Sequence, residues 1–93
     1  MGRKCLMKNL ADIKRRFKDN VVLTCYQHDF KKDFKFLNVP RKIAKLQSNA
    51  IMLEGGSWLY FKKAADWIII DDNTFKIKFD ENMFIHYKIQ EVA

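Results

Sequence analysis

The alternation of apolar and polar residues is strictest near the end of the chain, where Phe75, Ile77 and Phe79 alternate with Lys76 and Lys78. A period of two places the apolar side chains on one side and the lysines on the other, which is typical of a β-strand with one buried face. Other segments rich in β-branched and aromatic residues also predict strands. These segments are Val21–Gln27, Arg41–Gln47, Trp67–Ile70 and Met83–Ile89, with a short extended piece at Phe36–Val39.

Gly55 and Gly56 divide the apolar stretch between residues 50 and 61 into two short runs. The pair favours a two-residue β-hairpin turn, because glycine adopts positive φ without a steric clash at Cβ. In that register Glu54 pairs with Ser57. Because both faces of the hairpin are apolar, we expect it to be covered on both sides. One face then holds Ile51, Leu53, Trp58 and Tyr60.

Residues 9–18 predict a short amphipathic helix. Leu10, Ile13 and Phe17 fall on one stripe at helical spacing, and Asn9 can accept a backbone N–H as the N-cap. We expect this helix to cover one open side of the sheet.

Together these elements predict an α+β fold. Its N-terminal helix packs on a small, strongly bent antiparallel β-sheet or Src-homology-3-like barrel of about six strands. Residues 1–8 are predicted to be a flexible leader and residues 9–93 a single α+β domain.

Charge is distributed unevenly along the chain, whose formal net charge is +7. Residues 1–45 carry thirteen Lys or Arg against four Asp, whereas residues 46–93 carry five Lys against seven acidic residues. The basic half would attract a polyanion such as nucleic acid, an anionic membrane or an acidic protein surface. The start of the chain lacks the apolar run of a signal peptide, and no apolar run is long enough to span a membrane. The sequence therefore predicts a cytoplasmic protein with no membrane partner and with reduced thiols.

Four short strings resemble a group of small uncharacterised proteins found in bacteria and their phages. They are Asn38–Arg41, Lys45–Ala50, Gly56–Tyr60 and Lys63–Ala65, and the segment Leu10–Phe17 is similar to the start of those proteins. The likeness covers most of residues 7–79. The group has no established activity, so the resemblance implies a setting rather than a site: small proteins of mobile elements often bind a host protein or nucleic acid.

The cationic residues of the helix and of the strand after Pro40 are the first candidate site. Lys and Arg presented together supply most of the non-specific affinity for nucleic acid, through phosphate contacts. Tyr26, Phe30 or Phe34 would add base stacking if they are exposed. The alternative is an ordinary solvated face of a lysine-rich protein. The candidate residues are Lys14, Arg15, Arg16, Lys18, Arg41, Lys42 and Lys45.

A metal site and a catalytic site find less support. Cys25 and His28 have metal-like spacing, but a structural zinc site needs two close pairs of ligands, and Cys5 and His86 are far apart in sequence. The neighbouring carboxylates Asp71-Asp72 and Asp80-Glu81 are typical of turns. No nucleophile, base and orienting group occur in a supporting context, so we expect no enzyme and no cofactor.

Trp58, Tyr60 and Trp67 form the core of a small domain or, if they reach the surface, an interface. Two functional hypotheses remain from the sequence. The first is a non-enzymatic basic module that contacts DNA or RNA, and the alternative is a phage or mobile-element protein that inhibits a host nucleic-acid enzyme by binding it.

Overall fold

The computed structural model describes residues 7–92. It contains one helix, seven strands and a short 3₁₀ turn at Ala64–Asp66. Asn9 caps the helix as predicted, because its side chain accepts the backbone N–H of Asp12 at 3.1 Å. The elements are α1 (Leu10–Arg16), β1 (Val21–His28), β2 (Arg41–Leu46), β3 (Ala50–Leu53), β4 (Ser57–Tyr60), β5 (Trp67–Asp71), β6 (Thr74–Asp80) and β7 (Met83–Glu91).

All seven strands form one antiparallel sheet in the order β4-β3-β2-β1-β7-β6-β5. Its two edge strands, β4 and β5, are consecutive in sequence and are separated only by residues 61–66. So short a link requires the sheet to curl until its edges approach each other, and Trp67 Nε1 donates a hydrogen bond to the Tyr60 carbonyl at 3.0 Å. The result is a half-barrel with an open seam between β4 and β5.

A small, barrel-like α+β fold is thus confirmed, with three differences from the prediction. There are seven strands rather than about six, and α1 is shorter than the predicted helix over 9–18. The segment 36–39 is not a strand, since only Leu37 bridges to Cys25. Within residues 7–92, no helix has the length and apolar character needed to cross a membrane.

The core fills the concave side of the sheet. From α1, Ile13 and Phe17 enter it, and the Phe17 ring contacts those of Phe61, Trp67 and Phe75. Met7, which the sequence assigned to the leader, is also buried in this core. The rest of the predicted leader, residues 1–6, lies outside the described residues.

The central hairpin has a different register from the predicted one. Leu53 pairs with Ser57, and Trp58 therefore faces Met52 rather than Leu53. The reason is a three-residue loop, in which the Gly56 N–H donates to the Leu53 carbonyl at 3.0 Å and both Gly55 and Gly56 have positive φ. A shift of one residue moves Trp58 and Tyr60 to the face opposite the core residues Ile51 and Leu53.

Candidate nucleic-acid interface

The structure divides the predicted cationic set between the inside and the outside of the half-barrel. Arg41 is only 3% exposed. Its Nη1 donates to the Glu54 carbonyl at 3.1 Å and to Ser57 Oγ at 2.8 Å, and its guanidinium carbon lies 3.8 Å from the centre of the Phe36 ring. Burial lowers the pKa of Arg41, although the guanidinium stays charged at neutral pH. Arg41 is therefore an interior residue and offers no surface contact to nucleic acid.

Two of the four cations predicted for the helix are held in intramolecular contacts. Arg16 donates to the Asp72 carbonyl at 2.9 Å and to Asn73 Oδ1 at 3.2 Å, which fastens the helix to the turn between β5 and β6. Arg15 pairs with Asp12 one turn earlier in the helix. These contacts reduce the charge that the helix presents outwards.

The other two, Lys14 on α1 and Lys18 just after it, have no such ion pair among the described residues. Lys18 is exposed, and Lys14 Nζ lies 4.8 Å from the centre of the Phe61 ring. The Phe61 N–H donates to the Asn49 carbonyl at 3.0 Å. Asn49 lies in the turn after β2, so Lys14 and the end of β2 lie at the same end of the sheet.

The outer surface of β2, β3 and β4 brings cations and aromatic rings together. Lys45 pairs with Met52, and Met52 pairs in turn with Trp58, so the three lie in one row across the strands. Lys42 is also exposed, because it follows the inward-pointing Arg41. We call this surface the basic-aromatic face. Its residues are Lys42, Lys45, Met52, Trp58 and Tyr60.

Trp58 and Tyr60 form an exposed aromatic pair on this face. Their ring centres are 6.1 Å apart, their planes differ by 21°, and they are 36% and 52% exposed. Trp67, the third aromatic candidate, is only 5% exposed and belongs to the core. The sequence left all three residues between the core and the surface, and its hairpin register placed Trp58 and Tyr60 beside core residues. The structure instead exposes Trp58 and Tyr60 and buries Trp67.

The surroundings of the basic-aromatic face are also cationic. Lys62 and Lys63 follow β4 directly and are exposed. Glu54 is the only acidic residue between positions 41 and 63. Its carboxylate accepts the backbone N–H of Lys42 at 3.1 Å, so it lies at one margin of the face.

The three predicted stacking residues are less available. Phe30 and Phe34 pack against the core and against each other, with ring centres 5.2 Å apart. The ring of Tyr26 packs edge-on against that of His86, with ring centres 5.7 Å apart. Each is partly buried, so a base would have to displace existing contacts to stack on it.

The Cys25–His28 pair is not arranged as a metal or catalytic pair. Cys25 is buried, its Sγ lies 3.5 Å from the Gln27 carbonyl, and burial raises the pKa of its thiol. His28 Nδ1 accepts the Phe30 N–H at 3.0 Å. Within residues 7–92, no group of three or more potential ligands is placed to hold a metal ion, and Cys5 lies outside the described residues.

Comparison with known proteins gave no relative. No protein-family model matches the chain, and no curated protein and no solved structure matches it either. The functional argument therefore depends on the geometry of this molecule.

Proposed function

We propose that this protein is a non-enzymatic module that binds single-stranded DNA or RNA on its basic-aromatic face. The observation that carries the proposal is the exposed Trp58–Tyr60 pair in the same surface as Lys42 and Lys45. Aromatic rings stack on bases of any sequence, and lysines neutralise the phosphates between them. Single strands are favoured over duplexes because their bases are free to stack.

Two of the seven cations proposed from the sequence, Lys42 and Lys45, belong to this face. Lys14 and Lys18 extend the positive surface at the helix end of the sheet. Lys62 and Lys63, which the sequence did not single out, add charge beside Tyr60. The expected binding is weakly selective for sequence and strongly dependent on salt.

Fluorescence anisotropy with a labelled oligothymidylate and a labelled oligouridylate, over a series of salt concentrations, tests the proposal. We expect Trp58→Ala to weaken binding by about 1–3 kcal/mol at every salt concentration, because a stacking contact is lost. Lys45→Glu should weaken binding and reduce the slope of log K against log salt, because a phosphate contact is lost.

Lys88→Glu is the matched control for Lys45→Glu. Lys88 is exposed on β7, away from the proposed face, and its reversal changes the net charge by the same amount. Equal losses from the two reversals would show that only the overall charge matters. Wild-type protein that fails to bind either oligonucleotide at low salt would contradict the proposed function.

A second candidate is the inhibition of a nucleic-acid enzyme of a host cell through a protein–protein contact. Ile68 and Ile70, both exposed on the edge strand β5, favour it. An edge strand with exposed apolar side chains suits pairing with another chain. The phage or mobile-element setting and the cytoplasmic location remain predictions under either candidate.

The two candidates are separated by pull-down from a nuclease-treated bacterial lysate. The protein-binding candidate requires a retained protein that is lost with Ile68→Asp and kept with Trp58→Ala. Absence of a retained protein favours nucleic acid, and a protein lost with Trp58→Ala but kept with Ile68→Asp would mean that the basic-aromatic face binds protein.

A further inference from the structure

The open seam of the half-barrel leads into a cavity that borders the basic-aromatic face, since Trp58 and Tyr60 are among its lining residues. Its volume is about 470 Å³, which lies within the range of small-molecule sites. The lining is mostly apolar, and it combines loop residues with side chains from β4, β6 and β7. Principal lining residues are Phe30, Phe34, Leu59, Ile77, Ile85 and Tyr87.

A buried cation lies beside one end of this cavity. Arg41 does not itself line it, but Ser57, Phe34 and Tyr87 do, and each of these is a neighbour of the guanidinium. Ser57 Oγ accepts a hydrogen bond from Nη1, and the Phe34 ring centre is 6.0 Å from the guanidinium carbon.

Arg41 lacks the partner that a buried charge normally has. Its Nη2 is fully buried and makes no well-formed hydrogen bond among residues 7–92. The Tyr87 hydroxyl beside the guanidinium is neutral, and no ion pair to Arg41 occurs among those residues. A buried charge without a counter-charge is unfavourable, because protein contacts replace its hydration only in part. An anion that reached this end of the cavity would supply the missing charge.

Tyr87 adds a hydrogen-bond donor at the same place. Burial raises the pKa of its hydroxyl to about 12, against a lowering effect of Arg41, so the hydroxyl is protonated at neutral pH. A tyrosine hydroxyl together with a guanidinium offers donors suited to a carboxylate.

We propose that the half-barrel binds an amphipathic monocarboxylate. Its hydrocarbon chain occupies the cavity, and its carboxylate is received by Ser57, Tyr87 and Arg41. Entry is through the seam, where Lys62, Lys63 and Lys78 outnumber the single acid Asp66 and favour an anion.

Isothermal titration with dodecanoate and dodecan-1-ol, each below its aggregation concentration, tests the proposal. The two probes share a hydrocarbon chain and differ in charge. We expect dodecanoate to bind at least about tenfold more tightly, because a charge-assisted hydrogen bond is stronger than a neutral one. Shortening the chain by one methylene should weaken binding by about fourfold.

Arg41→Met is the decisive variant, since it removes the charge while keeping an apolar side chain of comparable length. It should bind the alcohol as the wild type does and lose the preference for the carboxylate. Circular dichroism checks that it folds. If it does not fold, Tyr87→Phe, which removes one hydroxyl donor and keeps the buried ring, should reduce the same preference.

Ile77→Trp, which fills the cavity, should abolish binding of both probes, whereas Ile68→Trp on the outer surface should not. Equal affinity of the wild type for the two probes, or no binding of either, would overturn the proposal. A carboxylate preference that survives Arg41→Met but is lost in Lys62→Ala/Lys63→Ala would also overturn it. Binding of oligonucleotides by Arg41→Met is a separate readout, because Arg41 is buried and does not belong to the basic-aromatic face.

Discussion

The two halves of the sheet differ in how many backbone pairings join them to the central strand β1. In the large wing, which comprises β1, β5, β6 and β7, β1 and β7 are paired at seven positions. In the small wing, which comprises β2, β3 and β4, only Lys42 and Arg41 of β2 pair with β1. The backbone ladder therefore secures the large wing well and attaches the small wing weakly.

Side chains supply the remaining attachment of the small wing. Ile51 and Leu53 pack into the common core, and Trp67 bonds to the Tyr60 carbonyl across the seam. Phe36, from the loop before β2, lies under Arg41 and beside Gly55. Since the small wing carries the basic-aromatic face, the position of that face depends on these side-chain contacts more than on the ladder.

Matched core truncations, Ile51→Ala in β3 and Ile89→Ala in β7, should give the largest effects. Both side chains are fully buried, so each change should lower the free energy of unfolding by about 2–5 kcal/mol. The two should differ in hydrogen exchange. Ile51→Ala should lower the protection of β3 and β4 amides below that of β1 and β7, whereas Ile89→Ala should lower all of them together. Equal loss of protection throughout the sheet in both variants would show that the wings open as one unit.

A smaller effect is expected from alanine substitutions at the two turn glycines. Gly55 and Gly56 both have φ near +100°, so each alanine should cost about 1–3 kcal/mol in backbone strain. A Cβ at Gly55 would also lie 2.6 Å from Phe36 Cζ, whereas one at Gly56 would meet no atom within 4 Å. Urea unfolding should therefore find Gly55→Ala less stable than Gly56→Ala. Equal stabilities would mean that Phe36 moves freely and does not anchor the hairpin.

Trp67→Phe removes the bond across the seam and keeps an aromatic ring in the core. The expected loss is about 1 kcal/mol in the free energy of unfolding, the usual net contribution of one hydrogen bond, plus a smaller packing term. The loss should appear mainly as faster exchange of amides in β3 and β4. Phe61→Leu is the control, because it alters a ring next to Trp67 and leaves the hydrogen bond from Trp67 to the Tyr60 carbonyl intact. Phe75→Tyr would be unsuitable, since it adds a buried hydroxyl.

The sequence predicted most of the elements because their patterns are local. Alternation at Phe75, Ile77 and Phe79 and the cap at Asn9 depend on residues near each other in the chain. The hairpin register was wrong because Gly55-Gly56 fits both a two-residue and a three-residue loop. The choice between them depends on contacts with other segments, such as the Glu54 N–H, which donates to the Lys42 carbonyl at 2.9 Å.

The same limit applies to the candidate site. Charge alone placed Arg41 with Lys42 and Lys45, although strand alternation turns Arg41 inwards, where it contacts Ser57 and Phe36. Its burial could not be inferred from the sequence, because it depends on contacts with the loop before β2 and with the hairpin that follows β2. The exposure of Trp58 and Tyr60 depends on the register of the β3–β4 hairpin. The uncertain length of the Gly55-Gly56 loop therefore led to errors in both the predicted fold and the predicted site.

The last prediction concerns pH, to which the two wings should respond differently. Both histidines of the chain, His28 and His86, lie in the large wing. Burial and the nearby Lys76 lower the pKa of His86, against a raising effect of Asp29. The folded state therefore prefers neutral His86. Its contribution to stability is complete above the unfolded pKa of about 6.5 and is lost as the pH falls through the lower folded pKa.

Urea midpoints at pH 7, 6 and 5 measure this contribution as the difference between wild type and His86→Gln. The wild type should lose more stability than the variant as the pH falls, by a small amount because His86 is only partly buried. Lys76→Met should reduce the difference, since it removes the second cause of the lowered pKa. The exchange rates of β3 and β4 amides, corrected for intrinsic pH dependence, should change less than those of β7. If the small wing loosens first as the pH falls, the histidine in β7 is not the group responsible.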